Sequence, residues 1–266
     1  MAEIVPFYAS PDGRFRLYQG DVLDVLDRIE VGGEIAMTFA DPPYFLSNGG
    51  ITCQAGRMVK VDKGSWDRLE SLDEMHRFNR SWLEAVQRSL APDGTVWVSG
   101  TRHVIFSVGF AMQQLGFKLL NDITWEKPNP PPNLSCRYFT HSTETILWAA
   151  RTAKSRHTFN YAAMREMAGG RQMKSVWRFV APLQAEKRLG HHPTQKPYAL
   201  LERILLASSR PDDLVLDPFV GSGTTGVAAA VHGRRFVGID LEAEYLDLAR
   251  RRYEDAMAHR ADTRAR

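Results

Sequence analysis

Short apolar runs bounded by turn residues recur along the chain at residues 16–18, 35–40, 95–99, 119–125 and 145–149, and again at 214–216 and 235–239. Runs of this length and composition predict buried strands. Between them the apolar period lengthens to three and four residues. Phe78, Trp82, Leu83, Val86 and Leu90 form one such face, stopped by Ala91-Pro92-Asp93-Gly94, and Pro197, Leu200, Leu201, Ile204 and Leu205 form another, stopped by Ser208-Ser209-Arg210-Pro211. These spacings predict amphipathic helices with clear C-terminal signals. A further helix is expected over 225–231, and a last one from Glu242 that frays after about Met257. Alternating strands and helices predict an α/β architecture with a mostly parallel sheet covered on both faces. Two segments do not follow the pattern. Residues 45–66 are rich in Gly, Ser and Asn and long for a connection, which predicts a functional loop. Residues 151–190 also lack a regular period.

A chain of 266 residues with 44% hydrophobic residues has ample apolar material for one large α/β domain. Trp82, Trp97, Trp125 and Trp148 fall within periodic or strand-like runs and are expected in the core. No N-terminal leader is evident, and the longest apolar run, about 104–112, is too short to span a bilayer, so a soluble cytoplasmic protein is expected. The two cysteines, Cys53 and Cys136, show no ligand spacing, and no metal site is expected.

The net charge of +3 conceals an asymmetry. Within 151–190, nine basic residues (Arg151, Lys154, Arg156, Arg165, Arg171, Lys174, Arg178, Lys187, Arg188) face only Glu166 and Glu186, a net +7. An acidic scaffold carrying a basic insertion suggests a polyanion site, with a solvated charged loop as the alternative.

Candidate chemistry lies at two strand ends. The apolar run 214–216 ends in Asp217 and leads into Pro218-Phe219-Val220-Gly221-Ser222-Gly223-Thr224; the run 235–239 ends in Asp240, seventeen residues beyond Gly223. A glycine turn lets backbone approach a ligand, and a carboxylate at the second strand end can accept from ribose hydroxyls. The turn is no P-loop and carries no basic residue, which suits S-adenosylmethionine better than a pyrophosphate cofactor. A purely structural βαβ unit is the competing reading. The run 35–40 delivers Asp41-Pro42-Pro43-Tyr44. The prolines fix φ and carry no N–H, leaving the Asp41 and Pro42 carbonyls as acceptors for an exocyclic amine. The Asp41 side chain accepts one amine hydrogen and Tyr44 stacks on the ring in this reading, and an amine so oriented needs no covalent nucleophile. Neither cysteine follows a proline, against carbon methylation of cytosine. A plain turn after a strand is the alternative.

Taken together, these motifs resemble those of the amino-methylating DNA methyltransferases, in the motif order of their beta group. Gly20-Asp21, His192-Pro193-Thr194-Gln195-Lys196-Pro197 and the Asp217 to Gly223 segment all match that group. Longer strings, 41–50, 61–67 and 133–148, resemble the adenine-N6 methyltransferases of DpnII-like GATC restriction systems, which also accept single-stranded DNA. The resemblance implies a Rossmann-like S-adenosylmethionine-dependent fold in circularly permuted order. It divides the chain into a catalytic half (1–150), a target-recognition insertion (151–190), a cofactor-binding half (191–249) and an Arg-rich tail (250–266). It implies Asp41, Pro42, Pro43 and Tyr44 as catalytic, and Asp21, Asp41, Thr194, Lys196, Asp217, Phe219, Gly221, Ser222, Gly223, Thr224 and Asp240 as cofactor-binding. DNA contacts fall to Lys63, Arg137, Tyr138, Arg171, Lys174 and Arg178, the target adenine being flipped from the duplex. For Tyr138, core packing is the alternative. The loop with Ser47, Asn48, Lys60, Lys63 and Trp66 would close over the base, or else is a disordered surface loop. Relatives of this group often dimerise. N4-cytosine or RNA-adenine methylation, or a non-catalytic nucleic-acid-binding relative, are the rival functions.

Overall fold

The computed structural model describes residues 4–45, 51–54, 57–60 and 71–264. Nine strands form one sheet: β1 (Tyr8–Ala9), β2 (Phe15–Gln19), β3 (Ile35–Ala40), β6 (Leu90–Gly100), β7 (Lys118–Glu126), β8 (Thr143–Ala150), β9 (Val176–Arg178), β10 (Leu214–Asp217) and β11 (Arg235–Asp240). Their order is β1-β2-β11-β10-β3-β6-β8-β7-β9. Strands β2, β11, β10, β3 and β6 run parallel, while β8 is antiparallel to both its neighbours. β4 (Ile51–Gln54) and β5 (Arg57–Lys60) form a separate antiparallel hairpin. Part of the 45–66 segment thus has regular structure where the sequence predicted a loop.

The strands alternate between two cores. Leu214 and Leu216 on β10, with Val237 and Ile239 on β11, face a core built with Trp82, Leu83 and Val86 of α2 (Leu72–Ser89) and Val108 and Met112 of α3 (Ile105–Gln114). Val215 and Phe236 face the other core, with Leu200 and Ile204 of α5 (Tyr198–Ser208), Ala228 of α6 (Thr224–Val231) and Leu246 and Ala249 of α7 (Ala243–Arg264). Burial on both faces explains why these strands read as unbroken apolar runs. The four tryptophans expected inside are all buried. The first core also receives Val25 and Leu26 of α1 (Val22–Arg28).

The basic stretch 151–190 is not one patch. Arg151 donates to the Leu90 carbonyl at 2.7 Å, and the Arg156 backbone N–H donates to Asp93 at 2.7 Å. Both sit at the amino end of β6, away from Asp41. The chain then forms α4 (Tyr161–Met167), whose Met164 enters the second core, and returns as β9 along the outer edge of β7. Arg188 pairs with Asp255 of α7. The Arg-rich tail is helical beyond Met257, and Arg260 donates to the Ala230 carbonyl at 2.9 Å. Docking against α6 keeps ordered a segment that the sequence predicted would fray.

Candidate active site

The permuted motifs meet because β3 and β10 are neighbours, paired in register Val215↔Met37 and Leu216↔Thr38. Asp41 and Asp217 therefore leave the sheet side by side at its carboxyl end, where ligands bind in open α/β sheets. Asp240 ends the adjacent strand, and Gly20-Asp21 follows β2 one strand further. A cleft of about 300 Å³ opens over these ends.

On the β10 side of the cleft, Asp217 is buried and holds its own turn, accepting from the Phe219 N–H at 3.1 Å and the Thr225 hydroxyl at 2.6 Å. Asp240 accepts from the Gly221 N–H at 2.8 Å and the Glu242 N–H at 3.0 Å. Burial pushes both carboxyls up, Asp217 to about 7 and Asp240 to about 6. Asp21, Thr194, Phe219, Gly221, Ser222 and Thr224 line the same cleft. Gly223 does not line it; it caps α6 in the left-handed region with φ 74° and shapes the turn. Arg252 of α7 secures that turn from behind, donating to the Ser222 carbonyl at 2.6 Å and the Thr224 hydroxyl at 2.9 Å. The sequence offered no signal for Arg252, which sat among the arginines of the expected C-terminal helix and Arg-rich tail.

On the β3 side, Asp41, Pro42, Pro43 and Tyr44 line the cleft. The Tyr44 hydroxyl donates to Asp41 Oδ1 at 2.6 Å, and Lys196 pairs with Asp41 Oδ2. Lys196 also lies 3.3 Å from the Tyr44 hydroxyl and 3.9 Å from Glu144 Oε2, while Lys127 pairs with the other Glu144 oxygen. Burial pushes the Asp41 carboxyl up, opposed by the Lys196 ammonium. For Lys196, burial acts downward, but the charges of Asp41 and Glu144 outweigh it and the net shift is upward. A raised Asp41 and a raised Lys196 pull the shared proton in opposite senses. Two donors converging on one carboxylate favour the ionised pair at neutral pH. The sequence grouped Lys196 with the cofactor residues; the structure places its ammonium on Asp41. Glu144 was not singled out, although it lies in the 133–148 string.

Lys196 reaches this position because Glu186 holds the preceding segment, its carbonyl accepting from Gln195 at 3.1 Å and its carboxylate from the Tyr198 N–H at 2.8 Å. The expected DNA residues lie outside the cleft. Arg137 and Tyr138 are exposed on the segment joining β7 to β8, and packing does not bury Tyr138. Arg171 and Lys174 are exposed ahead of β9, and Arg178 projects from it, 3.8 Å from Glu126. Lys63, Ser47, Asn48 and Trp66 lie outside the described residues, and the Lys60 side chain is likewise not described.

Residues 35–251 match the family described as DNA methylase. The chain belongs to that family. The methylase is 60% identical over 219 residues to the type II methyltransferase M2.DpnII of Streptococcus pneumoniae, covering 82% of each chain. It is 56% identical over 248 residues to M2.LlaDCHI of Lactococcus lactis subsp. cremoris, covering 93% of this chain and 91% of that one. Among solved structures, the M1.HpyAVI–SAM complex superimposes with a TM-score of 0.68 at 26% identity, covering 90% of the methylase and 98% of that chain. The PvuII cytosine-N4 DNA methyltransferase shares the fold, with a TM-score of 0.73 at 22% identity. The expected fold and enzyme class are thus borne out, and DNA is the methylase's substrate. No helix among the described residues is long and apolar enough to cross a membrane.

Proposed function

We propose that this methylase moves a methyl group from S-adenosylmethionine to N6 of adenine within GATC. The observation that carries this reading is the Asp41 carboxylate, braced by Tyr44, facing the same cleft as the Asp217 and Asp240 strand ends. The residues present fit the cofactor. Asp240 retains acceptor capacity for ribose hydroxyls beyond its two backbone donors. A Cβ at Gly221 would lie 3.0 Å from the His192 ring, so the turn is shaped for close backbone approach. When bound, the cofactor supplies an electrophilic methyl group on a cationic sulfonium. Asp21, Thr194, Phe219, Ser222 and Thr224 complete its cradle, and Gly223 shapes the turn behind them.

The chain's own work is to orient the amine. A flipped adenine offers two N6 hydrogens, one for Asp41 and one for the Pro42 carbonyl, which aims the nitrogen lone pair into the cleft; the one proton that N6 must lose on methylation passes to the Asp41 carboxylate that holds it and on to water. Taking that place requires Lys196 to release Asp41 Oδ2. Glu144, already 3.9 Å from the ammonium, receives it, so that Lys196 stays paired throughout. Extruding a base costs a few kcal/mol in a duplex and less in a single strand, which supports acceptance of both. Location in the cytoplasm follows from this substrate. Expression in a methylation-free host followed by modification-sensitive sequencing tests the reading. N6-methyladenine confined to GATC is expected, and N4-methylcytosine or another site would overturn it.

DNA binding falls to the exposed part of the basic stretch. Neutralising Arg171, Lys174 and Arg178 together is expected to weaken binding and lower the salt slope by up to about 3 units. Neutralising Lys154 and Arg156, at the opposite end of the sheet, is expected to change little. Titrations at several salt concentrations check this; an equal effect of both sets would move the DNA face.

Cofactor binding is also expected to depend on pH. Asp217 and Asp240 have folded-state pKa values above their unfolded ones, so their contribution to stability is full below the unfolded value and is lost as pH rises through about 6 to 7. The ionised carboxylates are what a ribose or sulfonium needs. The thermal shift produced by S-adenosylmethionine is therefore expected to grow from pH 5.5 to 8, and Asp240→Asn to flatten that trend. A shift independent of pH in the native protein would remove Asp240 from the cofactor site.

A further inference from the structure

We propose that a second concavity, lined by Arg102, Tyr138, Phe139 and His141, takes an unstacked nucleobase other than the target adenine. The proposal rests on the base-flipping reading above. The hollow, of about 410 Å³, lies on the segment between β7 and β8. Those strands are antiparallel, with Glu126 paired to Thr143, so the segment emerges at the sheet end that carries Asp41. Thr143 of β8 lines the hollow, and the next residue of that strand, Glu144, reaches Lys196.

Its chemistry is that of a base platform. Phe139 is 96% exposed and Tyr138 58%, and the Tyr138 and His141 rings lie 5.3 Å apart at 35°. This exposure is built rather than loose: Asn133 donates to the Tyr138 carbonyl at 2.5 Å and accepts from the Ser135 hydroxyl at 2.7 Å, and four prolines precede it. No carboxylate occurs between Glu126 and Glu144, whereas Lys127 and Arg137 lie on the segment and Arg102 faces it. Lys127 is paired with Glu144, which leaves Arg102 and Arg137 as the cations beside these aromatic faces, a combination that complements a polyanion presenting bare bases. Removing the target from the stack leaves its opposing base without a pairing partner and its strand neighbours without one stacking partner, and Phe139 offers such a base an aromatic face.

The test compares Phe139→Ala and Phe139→Trp on a duplex oligonucleotide and on its single strand. Methyl-transfer KM and kcat are read, together with 2-aminopurine fluorescence at positions opposite and beside the target. Phe139→Ala is expected to raise the duplex KM about tenfold, more than it lowers kcat, and to release the quenching that the native enzyme imposes on one 2-aminopurine; Phe139→Trp restores both. Loss confined to the duplex assigns the base to the opposing strand, and equal loss on both substrates assigns it to the target strand. Native KM and native quenching in Phe139→Ala would overturn the proposal. Phe139-dependent quenching without methyl transfer by the native enzyme would instead count against the methylation reading and leave the platform standing.

Discussion

Asp41→Ala is expected to lower kcat by about 10³-fold or more while largely retaining affinity for S-adenosylmethionine. The side chain holds three things at once: the Tyr44 hydroxyl, the Lys196 ammonium and, by the proposal, the target amine. Alanine removes the acceptor from all three. It also costs stability, because breaking a buried ion pair from one side typically costs about 3 to 5 kcal/mol. Here Glu144 remains for Lys196, which places the loss at the lower end of that range. Asp41→Asn separates the effects. An amide oxygen still accepts from Tyr44, so the fold is better preserved, yet the neutral side chain no longer competes for the amine as a carboxylate does. Incorporation of labelled methyl groups, calorimetric titration of the cofactor and a denaturant melt report the three quantities independently. Turnover within about tenfold of native in the alanine variant would remove Asp41 from the reaction.

This crowding at Asp41 marks where the sequence stopped being legible. The strand runs, the sheet covered on both faces and the four buried tryptophans were readable, because they follow from local period; the meeting of Asp41 with Asp217 was implied only by the family resemblance, and β3–β10 pairing bears it out. What was not readable is tertiary. Lys196 and Asp41 are 155 residues apart, and neither period nor motif spacing says that their side chains touch. Tyr44 was expected to stack on the base through its ring; its hydroxyl is committed to Asp41 as well, a second role visible only in three dimensions. Charge was similarly deceptive. Counted along the chain, 151–190 is one basic block, but folding sends Arg151 and Arg156 to the far end of the sheet and ties Arg188 to α7. Arg178, paired across from Glu126 at the end of β9, stays at the sheet end that carries Asp41, joined there by the β7–β8 segment.

Gly223→Ala is expected to destabilise the protein by about 2 to 5 kcal/mol and to weaken cofactor binding at least about tenfold, for two separable reasons. A Cβ there would lie 2.6 Å from Ala249 Cβ and 2.9 Å from Ala249 Cα on α7, an overpacking that costs about 1 to 3 kcal/mol. The φ of 74° adds about 1 to 2 kcal/mol for a residue with a side chain. Relief by moving α7 would displace Arg252, whose guanidinium fixes the Ser222 carbonyl and the Thr224 hydroxyl, so packing strain passes directly to the turn. Adding Ala249→Gly removes the methyl contact but neither the Cα approach nor the left-handed strain. The double variant is therefore expected to recover part of the stability in a urea melt while cofactor affinity stays low, because the turn still deviates. Full recovery of affinity alongside stability would mean that only helix packing was disturbed. Lost stability with native affinity in the single variant would mean that the glycine turn is not the cofactor's seat.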